Sequence, residues 1–416
     1  MIGTVKNTSI DVSAAPAVAR RDSQIRYVYW ARALRDFGDG FVAVLLPVYL
    51  TAIGLGAFEV GLVATLALLG SALTTLAMGF LGARIDHRKL LMAASGLMIA
   101  SGLLFAASST YALILLVAAV GTINPSAGSV SIFVPLEHAV LSRSVADSER
   151  TRMFARYSLI GALAAALGSL AAASPDFLAA AGVSRITSLK GMFVVYAFMG
   201  LAGGLIYARL RPDPTPTADK PAAALGPSRA IVYKMAALFS IDSFAGGFAV
   251  QSLIALWLFD RHGLSLSAAG LFFFWSGVFA AFSFPVAAWL SRRIGLVNTM
   301  VFTHIPSSVC LIIAAVAPSL EWALGLLLVR AALSQMDVPT RSSYVMAVVT
   351  PPERAAAASV TSVPRSLAAA ASPAIAGALF QAGLQAWPLI ICGLLKIFYD
   401  FALLWVFRHV KPPEER

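Results

Sequence analysis

Charge is scarce in this 416-residue sequence. Only 12% of residues are Asp, Glu, Lys or Arg, about half the share of an ordinary soluble domain. That scarcity excludes a disordered chain, and 59% apolar content is too much for one soluble core, so a soluble enzyme is excluded too. Cysteine is nearly absent. Cys310 and Cys392 both fall inside apolar runs, which leaves no disulfide framework to expect. No G-x-x-x-x-G-K-S/T loop is present, nor any G-x-S-x-G, H-E-x-x-H or C-x-x-C site. ATP-driven transport and an appended catalytic domain are therefore unsupported, and no enzyme activity, metal or cofactor is expected. His138, His262, His304 and His409 are scattered without metal-ligand spacing. The first 25 residues contain no apolar run, so no cleavable signal peptide is expected, and the apolar run after Arg26 reads as an uncleaved anchor.

What the chain has instead is long apolar runs. They are continuous and do not alternate in and out, which excludes a porin-type barrel. A membrane-spanning helix needs about 20 mostly apolar residues. The runs, broken by Gly, Pro or charge clusters, give twelve spans: 27–53, 58–83, 88–107, 111–140, 151–173, 189–209, 229–260, 266–290, 295–317, 320–348, 354–382 and 387–408. These must be helices, because the bilayer core cannot solvate open backbone groups. Pro125 and Pro135 predict kinks in the fourth span. A Pro-, Ala- and Asp-rich linker at 209–229 divides the chain into two halves, 27–208 and 230–408, flanked by tails 1–26 and 409–416.

The net charge of +11 would suggest nucleic acid in a soluble protein. Here, twenty-four Lys and Arg fall at one end of the spans and three (Arg185, Lys190 and Arg261) at the other. Positive residues gather in cytoplasmic loops. The asymmetry places both termini and the linker in the cytoplasm and removes nucleic acid as a partner. The bilayer is the expected surrounding, in the inner membrane of a bacterium, with the chain as a monomer.

The halves repeat each other. GFVAV at 40–44 matches GFAV at 247–250, which sets Asp242 opposite Arg35. Gly61 and Gly270 share an offset of 209 with the loops ARIDHRK (83–89) and RRIGLVN (292–298). VPLE at 134–137 parallels VPTR at 338–341, which sets Glu137 opposite Arg341. A duplicated six-helix unit is a transporter architecture, with the substrate held between the units.

With twelve spans as six plus six and the loop GFLGARIDHRKLL (79–91) between spans 2 and 3, the chain resembles the major facilitator superfamily. Gly79, Leu81, Arg84 and Arg88 fit the superfamily's signature loop, and Lys89 adds a charge. Ala83 stands where the acidic residue is usual, Asp86 where the second Gly is usual, and His87 where the first basic residue of the pair is usual. The resemblance implies an all-α membrane protein of two pseudo-symmetric six-helix bundles. Spans 1, 4, 7 and 10 would line a cavity, and Arg84, Asp86, Arg88 and Lys89 would help latch the halves, Asp86 replacing the missing acid.

Ionisable residues at membrane depth are expensive and mark function. Span 1 carries Arg32, Arg35, Asp36 and Asp39 on one helical stripe. Asp242 in span 7 lies roughly 20 Å from the membrane end at Arg229, counted at the helical rise, with no basic residue within one turn. Desolvation of such a lone acid disfavours its charged form, which suits a proton carrier. Asp242, Asp36 and Asp39 are the candidate proton-coupling residues. Span 10 carries Arg330, Ser334, Asp337 and Arg341 as one polar stripe, with Asp337 and Arg341 able to pair. These four, with Arg365 in span 11 and Asn124 in span 4, are the substrate or cavity candidates. Glu137 is a gating candidate through a bridge to Arg341 across the halves. Lys396 and Asp400, one turn apart, read as a structural pair.

The expected function is proton-coupled secondary transport of a small organic solute by alternating access, as proton antiport and efflux. Span 4 lacks the arginine usual near its start in drug–proton antiporters (LLVAAVG, 115–121). Deep arginines in the second half favour a solute with an anionic group, so an organic-anion carrier is the alternative. A non-transporting receptor or assembly factor of the same fold would need none of these acids.

Overall fold

The computed structural model describes residues 15–81, 85–126, 131–144, 147–212 and 225–410. The described residues are helical, with no strands. The first half contains α1 (Ala15–Ala52), α2 (Ala57–Leu81), α3 (His87–Ala107), α4 (Tyr111–Val120), α5 (Phe133–Ser144), α6 (Asp147–Ala171), the short α7 (Ser174–Ala180) and α8 (Arg185–Tyr207). The second contains α9 (Arg229–Gly247), α10 (Gln251–His262), α11 (Leu266–Ile294), α12 (Leu296–Ala315), α13 (Leu320–Ser334), α14 (Asp337–Val348), α15 (Arg354–Gln381) and α16 (Trp387–Phe407). Most of the linker, 213–224, lies outside the described residues.

Among the described residues, nine helical stretches are long and apolar enough to cross a membrane. The remaining three passes have visible reasons for falling short. The apolar end of α1 carries Arg35, Asp36 and Asp39. The fourth pass is split into α4 and α5, and the tenth into α13 and α14. Pro125 lies in the split of the fourth pass, where it removes a backbone donor. Pro135 sits in the first turn of α5, where helices tolerate it. The tenth pass is interrupted at Gln335–Met336, which puts Arg330 and Ser334 on α13 and Asp337 and Arg341 on α14.

Tertiary packing is uneven along the membrane normal. One apolar cluster joins both halves at the end away from the basic loops, with Leu45, Tyr49 and Phe193 from the first and Leu253, Trp257 and Phe272 from the second. At the basic end each half keeps a cluster of its own: Leu91, Phe133 and Tyr157 in one, Phe239, Met300 and Tyr399 in the other. Small residues allow the joining. A Cβ on Gly61 of α2 would stand 2.4 Å from the Pro373 carbonyl of α15, and one on Gly270 of α11 would stand 2.6 Å from the Ser169 carbonyl of α6. The two glycines that share an offset in the repeat thus sit at the two equivalent crossings between halves. Hydrogen bonds across the halves lie at the same end: Phe58 N to Gln381 Oε1 (3.1 Å), Ala374 N to Thr65 Oγ1 (3.0 Å), Ser267 Oγ to Asp176 Oδ2 (3.0 Å) and Ser252 N to the Pro125 carbonyl (3.1 Å).

Candidate functional site

The segment RALRDFGDG of α1 places charge in the first half. Arg32 and Asp36, one turn apart, pair at 2.5 Å. Arg35 turns the other way and donates from Nη1 to Glu137 Oε2 of α5 at 3.0 Å, while its Nη2 stays 3.3 Å from Asp36. Glu137 is fully buried and also accepts from the hydroxyls of Tyr207 (2.5 Å) and Tyr157. The guanidinium of Arg35 lies 4.7 Å from the Phe133 ring centroid, in cation–π range.

Asp39 stands apart from these pairs. It accepts from the hydroxyl of Tyr196 on α8, 3.2 Å from Oδ1. The same hydroxyl lies 3.0 Å from the Thr122 carbonyl and 3.2 Å from Thr122 Oγ1, in the break between α4 and α5. The flanking glycines make this possible. A Cβ on Gly38 would press the Tyr196 ring at 3.0 Å, and one on Gly40 would meet the Ala165 carbonyl of α6 at 2.1 Å. Asn124, in the same break, accepts the Ser126 N–H at 2.8 Å and lines a small cavity with Thr122, Pro125 and Ser71.

The second half holds a matching network. Arg341 Nη1 of α14 donates to Asp242 Oδ2 of α9 at 2.9 Å and lies 3.2 Å from Asp337 Oδ2, one turn away on its own helix. Lys396 of α16 donates to Asp242 Oδ1 at 2.6 Å. His304 of α12 sits behind them, with Nδ1 3.0 Å from Asp400 Oδ1 and Nε2 3.2 Å from Lys396 Nζ. An ammonium has only donors. In this contact Lys396 is the donor and Nε2 the acceptor.

Four sequence expectations change here. Asp242 is not a lone acid, because α14 and α16 bring Arg341 and Lys396 from 99 and 154 residues away. Glu137 and Arg341 do not bridge the halves; each is held within its own bundle. Lys396 and Asp400 are not paired with each other: the lysine reaches Asp242, and His304 takes Asp400. Arg330, Ser334, Asp337 and Arg341 are divided by the helix break, Arg330 and Ser334 on α13 and the other two on α14. The Asp337–Arg341 pair itself forms as expected.

The other candidates are dispersed. Arg365 of α15 is half-buried and donates from Nε to Ser243 Oγ of α9 at 3.0 Å. Arg330 is also half-buried. Among the described residues neither arginine is in an ion pair. Asp86 caps α3 by accepting the Arg88 N–H at 2.9 Å. Arg88 is half-buried and Lys89 exposed, whereas Arg84 lies outside the described residues. The described residues include no group of three or more His, Cys, Asp or Glu able to hold a metal ion. Tyr157, Tyr196, Tyr207 and His304 complete the two networks without any linear signal. They count as aromatic or isolated residues until helix packing sets them beside an acid.

Buried ion networks inside two repeated helical bundles define the class: a multi-pass membrane protein with a transporter fold. The Major Facilitator Superfamily profile matches residues 28–331 and, overlapping, 235–416, and the chain belongs to that superfamily. It is 23% identical to the uncharacterized membrane protein YJR124C of Saccharomyces cerevisiae, over 91% of this chain and 93% of that protein. Solved structures share the fold. A bacterial homolog of the human lysosomal transporter Spinster, inward-facing and occupied, superposes with a TM-score of 0.70 at 17% identity, covering 93% of this chain and 97% of that one. A mutant of the nucleoside transporter NupG gives 0.71 at 13%, covering 92% and 100%. The human organic anion transporter MFSD10 gives 0.63 at 17%, covering 92% and 99%.

Proposed function

We propose that the protein is a proton-coupled secondary active transporter that exports a small organic solute across the cytoplasmic membrane by alternating access, with Asp39 as the proton-carrying acid. The supporting observation is a mismatch in the first half. Arg32 and Arg35 face three buried carboxylates, Asp36, Glu137 and Asp39. The arginines are engaged with the first two, and Asp39 is left with a phenol.

That phenol has one proton for the Asp39 carboxylate and the Thr122 carbonyl, the neighbour with no proton of its own. A protonated Asp39 donates to the Tyr196 oxygen, and Tyr196 donates to the Thr122 carbonyl, so every group is satisfied. An ionised Asp39 draws the Tyr196 proton to itself and leaves the Thr122 carbonyl without it. A buried acceptor left unpaired costs about 1–3 kcal/mol. Thr122 shares its helix break with Pro125, whose carbonyl accepts from Ser252 of the other half. A change of proton occupancy at Asp39 is thus three residues of backbone from a contact that holds the halves together. Asp36 and Asp242 already have cationic partners and serve as structural counter-ions in this reading.

The test is transport in proteoliposomes with an imposed pH gradient, over a panel of small organic solutes. Wild-type protein is expected to accumulate solute against its gradient when protons flow the other way. Asp39→Asn should retain solute exchange at equal pH and lose gradient-driven accumulation. Gradient-driven accumulation at the wild-type level in Asp39→Asn would end the assignment.

A further inference from the structure

The second half carries the opposite mismatch. Its membrane-embedded carboxylates are Asp242, Asp337 and Asp400, and its membrane-embedded cations are Arg330, Arg341, Arg365 and Lys396. Arg341 and Lys396 take Asp242, Arg341 takes Asp337, and His304 takes Asp400. Arg330 and Arg365 are left without a carboxylate among the described residues, where the first half has one carboxylate too many. A charge without a partner at this depth marks a substrate path.

Arg365 is the cation placed to use it. It lies on α15, the helix that packs on α2 of the other half through Pro373, Ala374 and Gly377. One turn from Arg365, Ala369 packs on Gly247 of α9, so Arg365 sits at the α9–α15 seam, towards the basic-loop end from the crossing with α2. Its Nε is committed to Ser243 Oγ at 3.0 Å, which fixes the plane of the guanidinium. The two Nη groups remain as a parallel pair of donors, the geometry that receives the two oxygens of a carboxylate or a phosphoryl group. Ser243 is next in sequence to Asp242, so a ligand held here adjoins the Asp242–Arg341–Lys396 network. Arg330 lacks these features: its helix contributes its backbone carbonyl to Ser307 Oγ of α12, away from the crossing.

We infer that Arg365, oriented by Ser243, is the subsite for an anionic group, a carboxylate or phosphoryl group, on the transported solute. The inference rests on the transporter reading above but not on the assignment of Asp39. An anionic lipid headgroup offers the same chemistry, and the test separates the two sources.

The experiment is thermal unfolding of the purified full-length chain in neutral detergent, with four probes of similar size: benzoate, phenylphosphonate, benzylammonium and benzyl alcohol. A fifth titration adds phosphatidylglycerol. Benzoate and phenylphosphonate are expected to raise the unfolding temperature saturably, and the cation and the alcohol are not. Arg365→Gln should raise the half-saturating concentration at least tenfold, and Arg365→Lys, which keeps the charge but loses the fork, by severalfold. Ser243→Ala should weaken the response without removing it, and serves with Arg365→Lys if Arg365→Gln does not fold. An unchanged response in Arg365→Gln, an equal response to benzylammonium, no response to either anion, or a response to phosphatidylglycerol alone overturns the inference. Loss of gradient-driven transport in Asp39→Asn would persist in any of those cases, so failure of the anion subsite is distinct from failure of proton coupling.

Discussion

Arg341 holds Asp242 at 2.9 Å by the same pair of repeat positions through which Arg35 holds Glu137 at 3.0 Å, with the signs exchanged. In the first half the seventh-span position is represented by its counterpart in the first span, an arginine, and the acid comes from the fourth. In the second half the acid is on the seventh span and the arginine on the tenth. The duplicated fold has kept the contact and inverted its polarity. An ion pair depends on the product of the two charges, so either arrangement ties the same two helices.

Removing one partner of a buried pair leaves the other charge uncompensated, at about 3–5 kcal/mol. Glu137→Gln strands Arg35 beside Asp36 alone, and Asp242→Asn strands Lys396. Both variants should unfold at clearly lower temperature than wild type. Combining Asp242→Asn with Lys396→Met should recover part of the loss, because the second change removes the stranded cation. A strictly additive double variant, read by thermal unfolding in detergent, would refute the pairing.

Tyr196→Phe removes the phenolic proton shared by Asp39 and Thr122. Without that donor the carboxylate and the Thr122 carbonyl lose their shared partner. The pH profile of gradient-driven transport is expected to differ from wild type in Tyr196→Phe. A profile that matches wild type would show that the hydroxyl plays no part in the proton step.

Gly61→Leu and Gly270→Leu place large side chains against carbonyls that a single Cβ would already meet at 2.4 and 2.6 Å. Each half keeps its own interior, so the bundles should fold while the halves fail to meet at that end. Transport should fall at least tenfold, and cysteines placed on α2 and α15 near the crossing should gain reactivity to water-soluble thiol reagents. Normal transport in either variant would mean that the crossing is not part of the working cycle.

Glu353, in the turn before α15, gives a pH dependence outside the membrane. Its carboxylate accepts from the Ser228 hydroxyl at 2.6 Å, the Thr350 hydroxyl at 2.5 Å and the Gly226 N–H, joining the entrance of α9 to that of α15. Those bonds, the Ser228 hydroxyl first, hold the carboxyl down at about 2, from an ordinary value of 4.5. A depressed acid stabilises the folded state above its unfolded value and ceases to do so as pH falls through the folded one. The protection of the Ser228 and Arg229 amides, with exchange corrected for its intrinsic pH dependence, should therefore be high above about pH 4.5 and fall as pH drops towards 2. In Glu353→Gln that protection should be lower at neutral pH and nearly flat over the same window.

The linear chain was readable for the parts governed by composition and period. Twelve passes follow from where apolar runs end, and Gly61 and Gly270 from their shared offset. The pairing of Asp337 with Arg341 follows from one turn of helix. Asp242 was misread as isolated because its partners are on other helices. The break after Ser334 does not show in the even spacing of the polar residues; its sequence mark is Pro339, whose ring clashes with the carbonyl four residues back at Gln335.

Sequence alone therefore determined the membrane class, the duplicated six-helix plan and the small set of ionisable residues that topology does not explain. Lipid forces those properties on any chain, because apolar length and backbone satisfaction are local requirements. Tertiary structure alone decided which of those charges are matched. It paired Arg35 with Glu137 and Arg341 with Asp242, brought His304 and Lys396 behind them, and left Asp39 to a phenol and Arg365 to a serine. Charge compensation acts over a few ångströms between residues 99 to 154 positions apart in the chain, and only helix packing sets those distances.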